Sequence, residues 1–491
     1  MPVSTDVLFL SAREQGALIR ARKLSPVELV DAYLTRIDQL NPRTNAFITV
    51  TADLARRQAA EAEREIGHGR YRGPLHGIPY APKDILATKG VRTTNGSKVT
   101  ATLVPEHEST ITDRLAQAGA VLAGKLNLLE FAMGSGVVSG FGPARNPWDL
   151  TRTPSGSSSG SGVALAAAMV PLSIGTDTGG SIRGPANFCG VVGLKQTYGR
   201  VSRHGVTTLA WTLDHAGPMT RSVADAALML QAIAGHDPLD ASSAADPVPD
   251  YSRALTGDIR GLRIGVPVRF LAAGLAPEID AAFRAALVLL RTLGAAVVDV
   301  DVPHAEYATS AGWIVAMAEA ATFHEQRLRT SPELFDPVVR ERLDAARFYS
   351  ATDYLKAQRV RTLLMREMAT VFTQCDVMAV PGGEALPPPL ETAALAATDV
   401  KPGSKATRFR GGTTFLGNMT GLPALMLPCG FSSGPPALPI GLQLYGRAFD
   451  EFSLFRVGHA YEQATEWHRR RPPHRLTKAC WHNRRPASAV L

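Results

Sequence analysis

The chain has 491 residues, 45% of them hydrophobic and 20% charged, with a formal net charge of +8. That balance is ordinary for a soluble globular protein and excludes a disordered or low-complexity chain. The excess charge is confined to one end, where Arg469, Arg470, Arg471, Arg475, Lys478, Arg484 and Arg485 occur with no acidic residue among them, so the body is nearly neutral and no nucleic-acid partner is expected.

The N-terminus, Met1 to Gly16, has no basic segment followed by a sustained apolar run, so no signal peptide is expected and the expected location is cytoplasmic. No apolar run reaches the ~18 residues a membrane span needs, so no membrane association is expected. Cys189, Cys375, Cys429 and Cys480 are far apart with no CxxC spacing. Neither a zinc site nor a disulfide framework is expected, and the thiols read as buried core residues.

In chain order, Ser25-Pro26-Val27-Glu28 reads as a capping box with proline at the first helical position. Apolar residues from Leu29 to Leu40 continue it at helical spacing, and a second helix is expected over 52–66. Gly73 to Pro79 is turn-rich and leads to Tyr80-Ala81-Pro82-Lys83-Asp84-Ile85. A helix is expected over 111–118 and a buried strand over 120–124. Residues 153–193 alternate Gly/Ser-rich segments with an apolar helix-then-strand pattern, and a helix is expected over 224–235.

Residues 236–258 read as a surface connection. Strand 263–266, helix 278–293 and strand 296–300 form a unit whose spacing predicts a parallel pair. Residues 306–372 read as mostly helical, 381–412 as an irregular loop lining a site, 424–427 and 440–444 as strands, and 451–467 as a helix. The fold class is therefore α/β, a single large mixed sheet with helices on both faces. The expected organisation is a helical layer over 1–70, a catalytic core over 71–235, the remainder of the same domain over 236–468, and a basic tail over 469–491.

Gly156-Ser157-Ser158-Ser159-Gly160 formally matches a nucleophile elbow with Ser158 at its apex. That motif needs a strand running into it, and the preceding Asn146 to Pro154 contains two prolines and no strand pattern. A phosphate loop fails too, because no Lys-Ser/Thr pair closes the glycine run. Gly175 to Ser181 follows a short apolar strand, and its glycines let several N–H groups face one point, as an oxyanion hole requires. On the residues alone, this turn reads equally well as a tight glycine turn with a capping serine. A serine nucleophile needs a base, and no histidine lies in either Gly/Ser segment. Lys83 can serve if burial keeps it neutral, although a lone lysine is far more often a solvated surface residue.

Together these segments resemble the amidase signature family. The resemblance rests on Gly77-Ile78-Pro79 with Lys83-Asp84, on Ser155 to Gly162, and on Gly175 to Arg183 with its continuation to Gly190. Flanking support comes from Glu130 to Gly134, Arg145 to Trp148 and Gly193 to Lys195. It is strong over about 70–235 and weaker near 262–300 and 422–467.

The resemblance implies a Ser-cisSer-Lys triad, with Ser181 as nucleophile, Ser157 as the serine after a cis peptide bond and Lys83 as base. It implies an oxyanion hole from the N–H groups of Thr178, Gly179, Gly180 and Ser181, and an acyl-enzyme that water resolves. Asp177 and Arg183 read as a structural ion pair. Met133, Gly134 and Ser135 are the substrate-binding candidates. Neither a metal nor a cofactor is expected. The expected partner is a small-molecule amide, with a homodimer as the assembly to test.

Ser155 and Ser159 stand where the family often has glycine, Pro82 precedes the lysine, and Gln196 replaces a frequent proline. Family members include free-standing amidases, carbamate and urea-type hydrolases, and the glutaminase subunit of the tRNA-dependent amidotransferase. Arg408 to Asn418 does not resemble the acidic, Tyr-containing segment of that subunit. The sequence reading therefore favours a free-standing amidase, with the glutaminase subunit as the alternative and a carbamate or urea-type hydrolase as a further one.

Overall fold

Ten strands form one mixed sheet in a computed structural model that describes residues 3–133, 137–268, 274–398 and 412–473. A small two-stranded antiparallel sheet pairs β1 (Phe47–Val50) with β4 (Gly124–Leu126). Across the large sheet the order begins β3 (Val121–Leu122), β2 (Pro79–Pro82), β5 (Leu172–Asp177), β7 (His215–Thr220) and β6 (Val192–Lys195). It continues β11 (Ala424–Phe431), β12 (Pro439–Tyr445), β10 (Val377–Pro381), β8 (Arg263–Pro267) and β9 (Ala296–Val300). Among the described residues, no helix is long and apolar enough to cross a membrane.

The expected α/β class is the observed one. The 263–300 unit is a parallel β8–β9 pair bridged by helix Pro277–Thr292, and helices Tyr307–Thr330, Pro337–Ala346 and Ala351–Gln374 fill the stretch read as helical. Ser25 caps helix Pro26–Thr44 by accepting the N–H groups of Val27 and Glu28. The three cysteines in the described residues are free and buried.

The structure differs from the expectations in a few places. No strand is expected from the sequence at β6, β7 or β10. His215-Ala216-Gly217-Pro218-Met219-Thr220 shows no apolar alternation because β7 is buried throughout, between β5 and β6, and a strand covered on both faces loses the period-two pattern. Leu390–Thr398 is a helix inside the stretch read as an irregular loop; its alanine-rich sequence favours helix once the run Pro387-Pro388-Pro389 has ended. Residues 399–411 lie outside the described residues.

Two parallel neighbours position the site. β2 pairs β5 in register, Tyr80 opposite Leu172 and Pro82 opposite Ile174, so both strands present their C-terminal ends on one side. Helix Ser159–Ala166, wholly buried, lies against helix Arg183–Cys189. The approach is close because Gly162 has no side chain: a Cβ there would lie 2.9 Å from Cys189 Sγ and 3.0 Å from Pro185 O.

Candidate active site

Lys83 is the first residue past β2 and is fully buried. Its backbone N–H donates to Ile174 O of β5 at 2.9 Å, which fixes the side chain at the strand ends. Nζ lies 2.6 Å from Ser157 Oγ and 2.7 Å from Thr176 Oγ1. Burial lowers its pKa to about 7, against the opposing charges of Asp177 and Asp214. The neighbouring Asp84 turns away, pairing with buried Lys125 at 3.2 Å and accepting from Thr94. Only one of these two adjacent charged residues faces the serines.

Ser157 follows a cis peptide bond from Gly156, and its carbonyl accepts the N–H of Leu129 at 3.1 Å. Ser155 has φ +67°, a left-handed conformation that costs a residue with a Cβ about 1–2 kcal/mol. That accounts for glycine being frequent at this position. Ser158 faces away from the lysine. Its Oγ accepts Thr176 N–H and donates to Thr176 O, both at 3.2 Å, while its N–H donates to Ser181 O at 3.2 Å. This last bond brings the Ser181 backbone beside the residue that follows Ser157.

The turn from Thr178 to Ser181 is held from below by Asp177. Oδ1 accepts Gly180 N–H at 2.8 Å, and Oδ2 accepts Ile182 N–H at 3.1 Å. Arg183 closes a bidentate pair with the same carboxylate at 2.9 and 3.0 Å, both groups fully buried. The guanidinium also donates to Gln443, Tyr445, Thr414 O and Asn418, so the ion pair read from the sequence is part of a larger network. Burial pushes the Asp177 carboxyl up, but Arg183 outweighs it and holds the group well below the usual carboxylate range.

The Gly180 N–H, expected in the oxyanion hole, has another acceptor in this structure. The Gly180 N–H goes to Asp177, and the Gly179 carbonyl of the same peptide accepts Thr414 Oγ1 at 2.8 Å, so that peptide is committed at both ends. Thr178, Gly179 and Ser181 are left as the candidate donors. The ring of Phe415 seats on the turn, where a Cβ at Gly179 would lie 2.5 Å from Cζ.

Other site residues are given no role by the sequence reading. Thr176, the second partner of Lys83, sits within the glycine-rich motif, and a strand continued to Asp177 would have marked it as inward. Asp214 accepts Thr178 Oγ1 at 2.6 Å, and burial raises its pKa to about 6. Behind it Lys195 Nζ lies 3.1 Å from His215 Nε2. Both are pushed well below their ordinary values, Lys195 by burial and the Arg183 charge, and His215 by burial and Lys195.

Among the substrate candidates, Met133 is buried beside Phe131 and Ala132, whose φ values are +46° and +61°. Gly134 and Ser135 lie outside the described residues. A cavity of about 200 Å³ opens next to the site, its wall including Thr176, Thr178, Trp211, Asp214 and His215. Among the described residues, no group of three or more His, Cys, Asp or Glu is arranged to hold a metal ion.

The amidase family model matches residues 28–455. The glutamyl-tRNA(Gln) amidotransferase A subunit of Chloroflexus aurantiacus is 45% identical over 95% of this chain and 99% of its own length. A solved 6-aminohexanoate cyclic dimer hydrolase bound to substrate superposes with TM-score 0.86 at 29% identity, covering 96% of this chain and all of that one. The corresponding amidotransferase protein of Thermotoga maritima superposes with TM-score 0.78 at 32% identity, covering 95% of this chain and 97% of that one.

Proposed function

The chain belongs to the amidase family, a family of C–N hydrolases, and on that premise we propose that Lys83, Ser157 and Ser181 form its Ser-cisSer-Lys triad. The observation that carries this is the 2.6 Å approach of Lys83 Nζ to Ser157 Oγ in a fully buried setting that favours the neutral amine.

In the proposed reaction, the Ser181 hydroxyl passes its proton to Ser157 Oγ as Ser157 passes its own to the lone pair of Lys83. Ser181 Oγ bonds the amide carbon, and the N–H groups of Thr178, Gly179 and Ser181 receive the oxyanion. The C–N bond then breaks as the proton returns through Ser157 to the leaving nitrogen, which departs as ammonia or an amine. Water attacks the resulting ester by the same relay in reverse and restores Ser181. Thr176 orients the amine of Lys83, and the residues of 71–235 supply every reacting group. We place the reaction in the cytoplasm.

On the substrate, the relatives favour the glutaminase reading over the free-standing one. The near full-length identity of 45% is to an amidotransferase component, and the matching role for this chain would be to release ammonia from glutamine for a partner protein. One observation favours a free-standing hydrolase: the fold superposes better on the cyclic dimer hydrolase than on the Thermotoga protein, 0.86 against 0.78. Hydrolysis of glutamine, aliphatic amides, anilides and carbamates should be measured with and without the other amidotransferase components. Glutaminase activity that needs those components establishes the glutaminase reading; turnover of another amide by the chain alone overturns it. A fluorophosphonate probe followed by peptide mapping should label Ser181, and labelling elsewhere defeats the triad assignment.

A further inference from the structure

The Thr178–Ser181 turn is gripped by a second carboxylate that the reaction scheme does not use. Asp214, nine-tenths buried, accepts Thr178 Oγ1 through Oδ1 at 2.6 Å. Its Oδ2 accepts the N–H groups of Leu209 and Ala210 at 2.9 and 3.0 Å, folding 209–214 into a tight loop. That loop is in turn anchored to the long helices. Thr212 donates its N–H and hydroxyl to Glu319 at 3.0 and 2.6 Å, Tyr354 OH joins the same carboxylate at 2.9 Å, and Arg361 donates to Thr212 O at 3.0 Å.

We propose that Asp214 is a positioning residue for acyl transfer: it aims the Thr178 N–H into the oxyanion hole and sets the charge facing Lys83. The inference rests on the triad reading above. Its first half follows from the division of labour in the turn. Asp177 consumes the Gly180 N–H and leaves Thr178 among the remaining donors, while the Thr178 hydroxyl goes to Asp214. That hydroxyl bond fixes this end of the turn together with Asn418, whose Nδ2 donates to the Asp177 carbonyl of the same peptide at 2.9 Å. The second half follows from placement and charge: Asp214 lines the same cavity as Thr176, the 2.7 Å partner of Lys83 Nζ, and Asp177 and Asp214 both favour the protonated form of Lys83 against its burial. Asp177 is already neutralised by Arg183. The other charged or titratable groups on the cavity wall around Asp214 are Arg203, His204, His215 and Asp240, with Arg203 paired to Asp240 at 3.8 Å.

The test is the acylation rate of Ser181 by a fluorophosphonate, as a function of pH and probe concentration, in the parent and three variants. Thr178→Val should slow the maximal rate by roughly ten- to a hundredfold, as misplacement of a reacting group does. The probe's half-saturation should stay in place while the acidic limb moves to lower pH, because the Asp214 carboxyl loses a donor that favours its charged form, and Thr178→Ser, which keeps the hydroxyl, should restore most of the rate and the limb. Asp214→Asn should slow the rate and also move the acidic limb to lower pH, because removing the negative charge makes neutral Lys83 available sooner. A parent-like rate in Thr178→Val overturns the positioning role. An unmoved limb in folded Asp214→Asn overturns the electrostatic one; if that variant does not fold, an unmoved limb in Thr178→Val overturns it instead. A parent that is not labelled on Ser181 at all is a failure of the triad reading and is seen before any variant is compared.

Discussion

Asp177 and Arg183 form a fully buried bidentate pair at 2.9 and 3.0 Å, and the same carboxylate holds the N–H of Gly180 at 2.8 Å. One side chain therefore joins a core ion pair to the backbone of the candidate nucleophile turn. Such a pair is worth little against an apolar replacement, but breaking it strands a charge.

Asp177→Asn should accordingly lower the unfolding free energy by about 3–5 kcal/mol, read by urea denaturation near neutral pH. Because the folded carboxyl is held below its ordinary value, its contribution is present above the unfolded carboxylate pKa and fades as pH falls through the folded one. The difference between parent and variant should shrink in strong acid. A loss under about 1 kcal/mol would show that Arg183 is satisfied by Gln443, Tyr445 and Asn418 without it.

Lys83 titrates near 7 in the fold against an ordinary 10.5. The folded state then binds fewer protons than the unfolded one between those values, so stability rises with pH there, by up to about 1.4 kcal/mol per pH unit. Lys83→Met should remove that part of the slope, with buried Lys195 keeping its own. With Lys83 as the proposed base, activity should run the same way, increasing as pH passes through about 7 and Lys83 loses its proton. The variant should lose acylation at every pH. Equal pH slopes for parent and variant in denaturation would mean that Lys83 is charged in the fold.

The adjacent serines separate cleanly by experiment. The Ser158 hydroxyl bonds the backbone of Thr176 and its N–H the carbonyl of Ser181, all at 3.2 Å, so Ser158→Ala should cost about 1–3 kcal/mol of stability while the probe still labels Ser181. Ser157→Ala should do the opposite, sparing stability and stopping acylation. Exchanged phenotypes would assign the relay to Ser158.

Gly179 has no room for a methyl group, its Cβ position being 2.5 Å from Phe415 Cζ. Gly179→Ala should lower stability by about 1–3 kcal/mol through overpacking and displace the turn enough to slow acylation. The Gly179→Ala/Phe415→Leu double variant should recover part of both. No recovery would trace the defect to the backbone of the turn rather than to the ring.

What could be read in the sequence follows the reach of local signals. The β8–helix–β9 unit was legible because a helix between two apolar runs has a length and a period. Lys83, Ser157 and Ser181 stand out as candidates because they sit in Gly/Ser/Pro-rich segments unlike ordinary core. β7 escaped notice because burial on both faces erases alternation. Thr176 and Asp214 escaped because their importance lies in partners set by strand pairing, 93 residues from Lys83 in one case and 36 from Thr178 in the other. At Gly180 the limit is similar: a glycine in the right turn carries no sign that a carboxylate three residues earlier takes its N–H.

Arg183 finds two of its partners in Gln443 and Tyr445, some 260 residues further along the chain. On the ribosome, Lys83, Ser157 and Ser181 all emerge while β11 and β12, which complete the sheet between β6 and β10, are still untranslated. Until those strands arrive, the Arg183 guanidinium lacks part of its setting. The nascent chain thus carries the three candidate residues long before the buried network around Arg183 can close, and that closure waits for the synthesis of β12.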